Sequence, residues 1–248
     1  MKAIITDLDR TLLRTDKSLS ARTLDALKKC RSRGIKVMAA SARPLRNIWE
    51  YHRQIGFDAI AAACGAVIEL PDGIQTVGIP RESSRIILQN ILRYPDIFLS
   101  AETSTGLFSN RDIPQWDPVV YDGFPDLPPG AVPYKILVSS EDRSVYQDIA
   151  RLLTPDCYHT VAGETLIQIM HRTASKWHAV QRMLSHFHLS AEDAVYFGDD
   201  NDDVECIMHC GTGVAMANAI PAALSVADVI VPGNDEDGVA QFIEQNIL

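Results

Sequence analysis

The feature that most constrains the fold is a repeated local unit: a short apolar run that stops at polar residues, followed by a segment of helical periodicity. Lys2 to Thr6 is one such run and ends at Asp7-Leu8-Asp9-Arg10-Thr11. Ile35 to Ala40 ends at Ser41-Ala42-Arg43-Pro44, and Ala194 to Phe197 ends at Gly198-Asp199-Asp200. Unbroken apolar runs of this length suit strands buried on both faces. Between them, the segment from about Ser20 carries Leu24, Leu27 and Cys30 on one stripe, with Gly34 as a stop signal. Pro44 opens another helix, where its missing N–H costs little. Lys176 to His186 follows Ser175 as a cap, and Asp202 to Cys210 is stopped by Gly211. Further strands are expected at Ala59–Ala63, Ala66–Leu70, Gly213–Met216 and Val229–Val231, with Pro71-Asp72-Gly73 as a turn. Strands alternating with helices imply an α/β fold with a parallel sheet covered on both faces.

The rhythm changes in the middle of the chain. A helix near Ser84–Leu92 leads to short strands at Phe98–Ala101 and Leu107–Ser109. A strand at Lys135–Ser139, a helix at Val145–Leu153 and strands around Tyr158–Val161 and Leu166–Met170 follow. This pattern predicts a separate α/β unit, residues 81–171, inserted into a core formed by residues 1–80 and 172–248. Ile113 to Pro133 holds six prolines with Trp116, Tyr121 and Phe124 and no periodicity. A connection of that length is often a lid or binding loop, and the alternative is a proline-stiffened wrap around the inserted unit.

Composition narrows the function classes. The formal net charge of the 248 residues is −9, which disfavours a nucleic-acid partner, since such a partner needs a basic stripe to displace counterions. An anionic small substrate stays compatible, because local cations and a bound metal can reverse the field in one cleft. No apolar run approaches the ~20 residues that span a bilayer, so no membrane partner is expected. A carboxylate arrives within MKAIITD, too early for a signal-peptide core, and the expectation is a cytoplasmic protein. Cys30, Cys64, Cys157, Cys206 and Cys210 have no CxxC spacing and read as reduced thiols.

Four segments carry residues suited to chemistry. Asp7 and Asp9 follow the first strand, and in an open parallel sheet ligands bind outside the carboxyl ends of strands. Two carboxylates so close in a cleft call for a cation, although an acidic turn capping backbone amides is the plainer reading of this pair alone. Ser41 follows the second strand, where a hydroxyl and helix N-terminal amides can hold phosphate oxygens, or where it merely caps the next helix. Lys176 opens a helix, a place unfavourable for an ammonium unless an anion faces it; a solvated surface lysine is the alternative. Asp199, Asp200, Asp202 and Asp203 place four carboxylates in five residues. A hard cation such as Mg²⁺ would resolve their repulsion, while favourable charge at a helix N-terminus explains part of the cluster without one.

In this order and context the segments resemble the four motifs of the haloacid dehalogenase superfamily: Asp7-x-Asp9-x-Thr11, Ser41, Lys176, and Gly198-Asp199 with Asp203. Thr11-Leu12-Leu13 and Gly213-Val214-Ala215-Met216-Ala217-Asn218-Ala219 look like its Cof-type branch of sugar-phosphate phosphatases. The resemblance covers nearly the whole chain. It implies a Rossmann-like core with an inserted α/β cap, Mg²⁺ as cofactor and a small phosphorylated metabolite as substrate. Hexose phosphates, pyridoxal phosphate and flavin mononucleotide all lie within reach of the branch. It further implies that Asp7 is the nucleophile that becomes an aspartyl-phosphate, and that Asp9 is the general acid and base. Ser41 and Lys176 would orient the phosphoryl oxygens, with Thr11, Arg43 and Asp202 as further substrate contacts. Mg²⁺ would be bound by Asp7, the Asp9 carbonyl and Asp199, with Asp203 in support. A phosphosugar mutase and a catalytically silent metabolite sensor are the rival functions on the same fold.

Three positions depart from the family pattern: Arg10 replaces the commoner glycine, and Cys64 and Asp202 stand where asparagine is common. Cys206 and Cys210, with His209 between them, suggest a soft-metal site only until Val204, Ile207 and Met208 are counted, which favour core packing. His178, His186 and His188 read as structural.

Overall fold

The computed structural model describes every residue except Gln115, Arg143, Gly163 and Glu164, and the Ala162 side chain. Gln115, inside the proline-rich segment, therefore lies outside the described residues. The chain divides into two compact units, Met1–Thr76 with Ser175–Leu248, and Val77–Ala174.

In chain order the first unit begins with β1 (Ala3–Thr6), α1 (Ala21–Ser32), β2 (Lys36–Ala40), α2 (Trp49–Ile55), β3 (Ala59–Ala62), β4 (Val67–Leu70) and β5 (Gly73–Thr76). The second unit holds α3 (Arg81–Ile91), β6 (Phe98–Thr103), β7 (Gly106–Ser109), β8 (Val119–Val120), β9 (Pro133–Ser139), α4 (Ser144–Leu152), β10 (Cys157–Ala162) and β11 (Leu166–His171). The chain then returns to the first unit with α5 (Lys176–His186), β12 (Ala194–Gly198), α6 (Val204–His209), β13 (Thr212–Met216), α7 (Pro221–Val226), β14 (Val229–Val231) and α8 (Gly238–Asn246). None of the described helices is long and apolar enough to cross a membrane.

The first unit is an eight-stranded sheet of order β14-β13-β12-β1-β2-β3-β4-β5. Its first six strands run parallel, while β4 and β5 turn back antiparallel at the edge. Fully buried strands such as β1 and β3 explain the unbroken apolar runs in the sequence. Met38, Ala61, Val180, Met183, Tyr196, Cys206 and Ile207 meet in one apolar cluster. Two helices differ from expectation at their starts. Pro44 caps a 3₁₀ turn, Leu45–Asn47, before α2 begins, and Asn201–Asp203 forms a 3₁₀ turn before α6. β5, whose four residues are all exposed, has no apolar alternation to announce it.

The register fixes where chemistry can gather. Thr6 on β1 lies beside Phe197 on β12 and Ala39 on β2, so three neighbouring strands end together. The strand order also reverses about β1, the point where open α/β sheets bind ligands.

The second unit has a six-stranded sheet of order β10-β11-β9-β6-β7-β8, antiparallel except where β8 joins β7. Ile87, Leu88 and Ile91 of α3 and Val145 and Ile149 of α4 pack on one face, against Leu99, Ala101, Ile136, Val138, Ile167 and Ile169. Each of the valine, leucine and isoleucine side chains among these contributes about 1.5–3 kcal/mol by leaving water. β8 lies inside the proline-rich segment, which is therefore not wholly irregular.

Candidate active site

Asp7, Ser41 and Asp199 each follow the last residues of adjacent strands β1, β2 and β12, and all three are buried. Lys176 comes from a different direction, as the first residue of α5. Ser175 caps that helix by accepting from the His178 amide, which fixes where the Lys176 side chain departs. Gly65 makes room for this start: it has φ +89°, and a Cβ there would stand 2.4 Å from the Ser175 carbonyl oxygen.

The Lys176 ammonium is 3% exposed and donates to Asp7 Oδ1 at 2.8 Å and Asp203 Oδ1 at 2.7 Å. Asp203 is saturated. Tyr196 Oη donates to its Oδ1 at 2.6 Å, and the amides of Asp199 and Asp200 donate to its Oδ2 at 3.0 and 3.1 Å. Gly198 allows this packing, since a Cβ there would meet the Asp203 Cβ at 2.5 Å. Thr11 Oγ1 donates to Asp199 Oδ1 at 2.7 Å. Thr11, which the family resemblance implies as a substrate contact, has its hydroxyl on this carboxylate.

Asp7, Asp199 and Asp203 each offer a carboxylate oxygen within 4.8 Å of one another. Three buried carboxylates face one buried ammonium, an imbalance that a bound cation or protonation of a carboxyl would relieve. Burial raises the pKa of Asp7, with Asp203 and Asp199 adding to the rise and Lys176 opposing it. Asp199 is pushed up to about 6 by burial and then by Asp203, against Thr11, Lys176 and Arg10. For Lys176, burial works against the charge, and the carboxylates of Asp203 and Asp7 outweigh it and raise the pKa. An all-oxygen set of this kind fits a hard divalent cation. Because Asp203 is taken up by four donors, Asp7 and Asp199 are the side chains open to direct ligation.

Asp9 is arranged differently. Its carboxylate is not part of the converging set. Arg43 donates to it twice, from Nε at 2.6 Å and Nη2 at 2.7 Å, and Lys17 Nζ donates at 2.8 Å. Partial burial raises its pKa, but the bonds from Arg43 and Lys17 prevail and hold it at about 2. Arg43, expected at the substrate, thus partners Asp9 and also reaches Tyr51 Oη at 3.4 Å. Ser41 Oγ accepts from the Arg43 amide at 3.2 Å and caps no helix. Asp202 Oδ2 accepts from Cys64 Sγ at 3.2 Å, so two positions that depart from the family pattern touch each other.

Lys17 and Tyr196 were not singled out from the sequence. Tyr196 sits in a strand that reads as plain core, and Lys17 lies in a turn at φ +70°, so no spacing marked either one. Arg10 also has positive φ, +62°, a conformation that costs an L-residue about 1–2 kcal/mol. Its carbonyl accepts from Asn218 Nδ2 at 2.9 Å, its Nη2 donates to the Asn218 carbonyl at 3.2 Å, and its Nε is 3.9 Å from Asp199 Oδ2. Cys206 and Cys210 are buried in the apolar cluster, and the His209 ring packs against Trp177 at 5.3 Å.

With this geometry established, comparison with known proteins gives a consistent result. Residues 4–243 match the family model of the haloacid dehalogenase-like hydrolases. The 5-amino-6-(5-phospho-D-ribitylamino)uracil phosphatase of Bacillus subtilis is 26% identical, over 98% of this chain and 96% of its own length. Another B. subtilis phosphatase is 23% identical, over 98% of this chain and 99% of its own. The solved structure of a haloacid dehalogenase-like hydrolase from the same organism superposes with a TM-score of 0.87 at 22% identity, covering all of both chains. The chain carrying this Asp7–Lys176–Asp199–Asp203 constellation belongs to the haloacid dehalogenase-like hydrolases.

Proposed function

We propose that this hydrolase is a Mg²⁺-dependent phosphatase that removes the phosphoryl group from a small phosphorylated metabolite, a sugar phosphate or similar monoester, through Asp7. The observation that carries the reading is the buried Lys176 ammonium, 2.8 Å from Asp7 and 2.7 Å from Asp203, with Asp199 in the same cluster. An ammonium so placed keeps Asp7 oriented and supplies positive charge where phosphoryl oxygens would gather.

In the first step the Asp7 carboxylate forms a bond to phosphorus while the bond to the leaving oxygen breaks, giving an aspartyl-phosphate and a freed alcohol. In the second step a water oxygen attacks that phosphorus and the Asp7–phosphorus bond breaks, releasing phosphate. Asp9, held ionised by Arg43 and Lys17, is suited to accept the proton of the attacking water. To give a proton to the leaving oxygen in the first step, so that it departs as an alcohol, Asp9 must first quit that ion pair and take up a proton from solvent. The proton accepted from the attacking water in the second step then restores the one given up. A divalent cation held by Asp7 and Asp199, with the Asp9 carbonyl as a further ligand and Asp203 behind them, would neutralise the phosphoryl oxygens. Ser41 lies at the neighbouring strand end, where its hydroxyl is suited to orient those oxygens. In this reading the inserted unit, residues 81–171 by the sequence pattern, is the cap to which substrate choice is assigned. The B. subtilis relative named for a phosphorylated ribityl compound fits the proposed substrate class.

The test is phosphate release from a generic aryl phosphate and from a panel of sugar phosphates. Release that requires Mg²⁺, stops with EDTA and disappears in Asp7→Asn is the expected result. Formation of an isomeric sugar phosphate without free phosphate would make the protein a mutase. Zero turnover across metals would make it a silent binder.

A further inference from the structure

The Arg10 side chain lies within the first unit, next to the carboxylates proposed to hold the cation. It is 60% exposed, and its Nε stands 3.9 Å from Oδ2 of Asp199, whose own side chain is 4% exposed. Thr11 already occupies Oδ1 of the same carboxylate. Arg10 gives Asp199 its one ion pair within 4.0 Å among the described residues. The guanidinium is not free to swing away: Nη2 donates to the Asn218 carbonyl, while Asn218 Nδ2 holds the Arg10 carbonyl. Asn218 is in turn anchored, because its Oδ1 accepts from the Asn234 amide at 3.0 Å. Three points therefore fix the arginine: its strained backbone, the Asn218 loop and Asp199.

From this geometry we infer that Arg10 is a built-in counter-charge to Asp199, which holds that carboxylate in place without metal and weakens the site's hold on a divalent cation. The inference rests on the reading of Asp7 and Asp199 as metal ligands and concerns how tightly they bind. A fixed positive charge beside one ligand lowers the affinity for any incoming cation and repels a divalent ion more than a monovalent one. The exposure of the guanidinium makes the effect salt-dependent, since mobile ions screen an exposed charge within about 10 Å at 0.1 M ionic strength. Arg10 is thus a positioning residue for Asp199 and sets the metal concentration at which the site fills.

The experiment is calorimetric titration of the metal-free full chain with Mg²⁺ for the wild type, Arg10→Gln and Arg10→Lys, at low and high KCl. Gln removes the charge but keeps a polar tip, and the bond from Asn218 Nδ2 to the backbone carbonyl at position 10 does not depend on the side chain. The expected result is a Kd about three- to tenfold lower in Arg10→Gln. The gap should shrink at high salt, and Arg10→Lys should move affinity back toward the wild type. A second readout follows from linkage: saturating Mg²⁺ should raise Tm more in Arg10→Gln than in the wild type, because the metal then replaces a missing counter-charge. Equal or weaker Mg²⁺ binding in Arg10→Gln, with wild-type binding intact, would overturn this inference and leave the phosphatase reading standing. Absence of Mg²⁺ binding in all three proteins would overturn both.

Discussion

Both units bury charge, but they balance it differently. In the first unit Asp7, Asp199 and Asp203 face the single ammonium of Lys176. In the second, Glu102 and Lys135 are buried register partners on β6 and β9, and Lys135 Nζ donates to Gln168 Oε1 at 2.7 Å. One acidic and one basic residue at one register position are a closed account in number, which a sheet can carry for structure alone. Three carboxylates against one buried ammonium is an open one: Arg10 faces Asp199 from the surface at 3.9 Å, and a proton or a bound cation would close the rest. The contrast follows from topology. Parallel strands joined by helices bring all their carboxyl ends to one edge, so residues far apart in sequence converge there. Antiparallel strands alternate direction and gather no such edge.

Removing the cation from each unit is the strongest way to break the comparison. Lys176→Met leaves three buried carboxylates unopposed, and we expect a stability loss of about 3–5 kcal/mol with a fall in phosphatase rate of about 10²-fold or more. Denaturant melts with and without Mg²⁺, alongside kinetics, check it. A variant that melts and turns over like the wild type would dissolve the contrast. Lys135→Met strands the buried Gln168 Oε1, and we expect a loss of about 1–3 kcal/mol while calorimetric Mg²⁺ affinity stays unchanged.

The imbalance also has a pH signature. The Asp199 pKa rises from 3.8 to about 6 in the folded chain. A raised carboxyl pKa favours the protonated folded state, so its ionisation costs stability as pH climbs through about 4 to 6 and then levels off. In EDTA we expect stability to fall by about 2–3 kcal/mol across that window from Asp199 alone. Added Mg²⁺ should restore it most at pH above 6, because protons compete with metal for the same oxygens. A flat metal-free stability profile across this window counts against the open account. The smallest effect concerns the scaffold: Ser175→Ala removes the cap of α5 and should cost about 1 kcal/mol by thermal melting.

Much of this was legible in the sequence because the parallel strands are short, apolar and stopped by chemistry. β1, β2 and β12 were readable from their runs, and Ser175 and Lys176 from cap and spacing. The recurring order of motifs then placed the α/β core and the converging acids. What escaped was set by tertiary contact. The partners of Asp9 lie at positions 17 and 43, and nothing local says that Arg43 turns to a carboxylate. Thr11 reads equally well as a ligand contact or a carboxylate donor until Asp199 is seen beside it. Tyr196 is an apolar strand residue by pattern, and only its hydroxyl's approach to Asp203 reveals a role.

The most direct test of the central proposal is to follow the phosphoryl group itself. Protein mixed with a slight excess of aryl phosphate and Mg²⁺, quenched in acid within a turnover and digested, should yield a phosphoryl adduct on the peptide carrying Asp7. The adduct should be absent in Asp7→Asn. Rapid phosphate release with no adduct in the wild type, or an undiminished rate in Asp7→Asn, would mean that the buried cluster serves something other than covalent phosphoryl transfer.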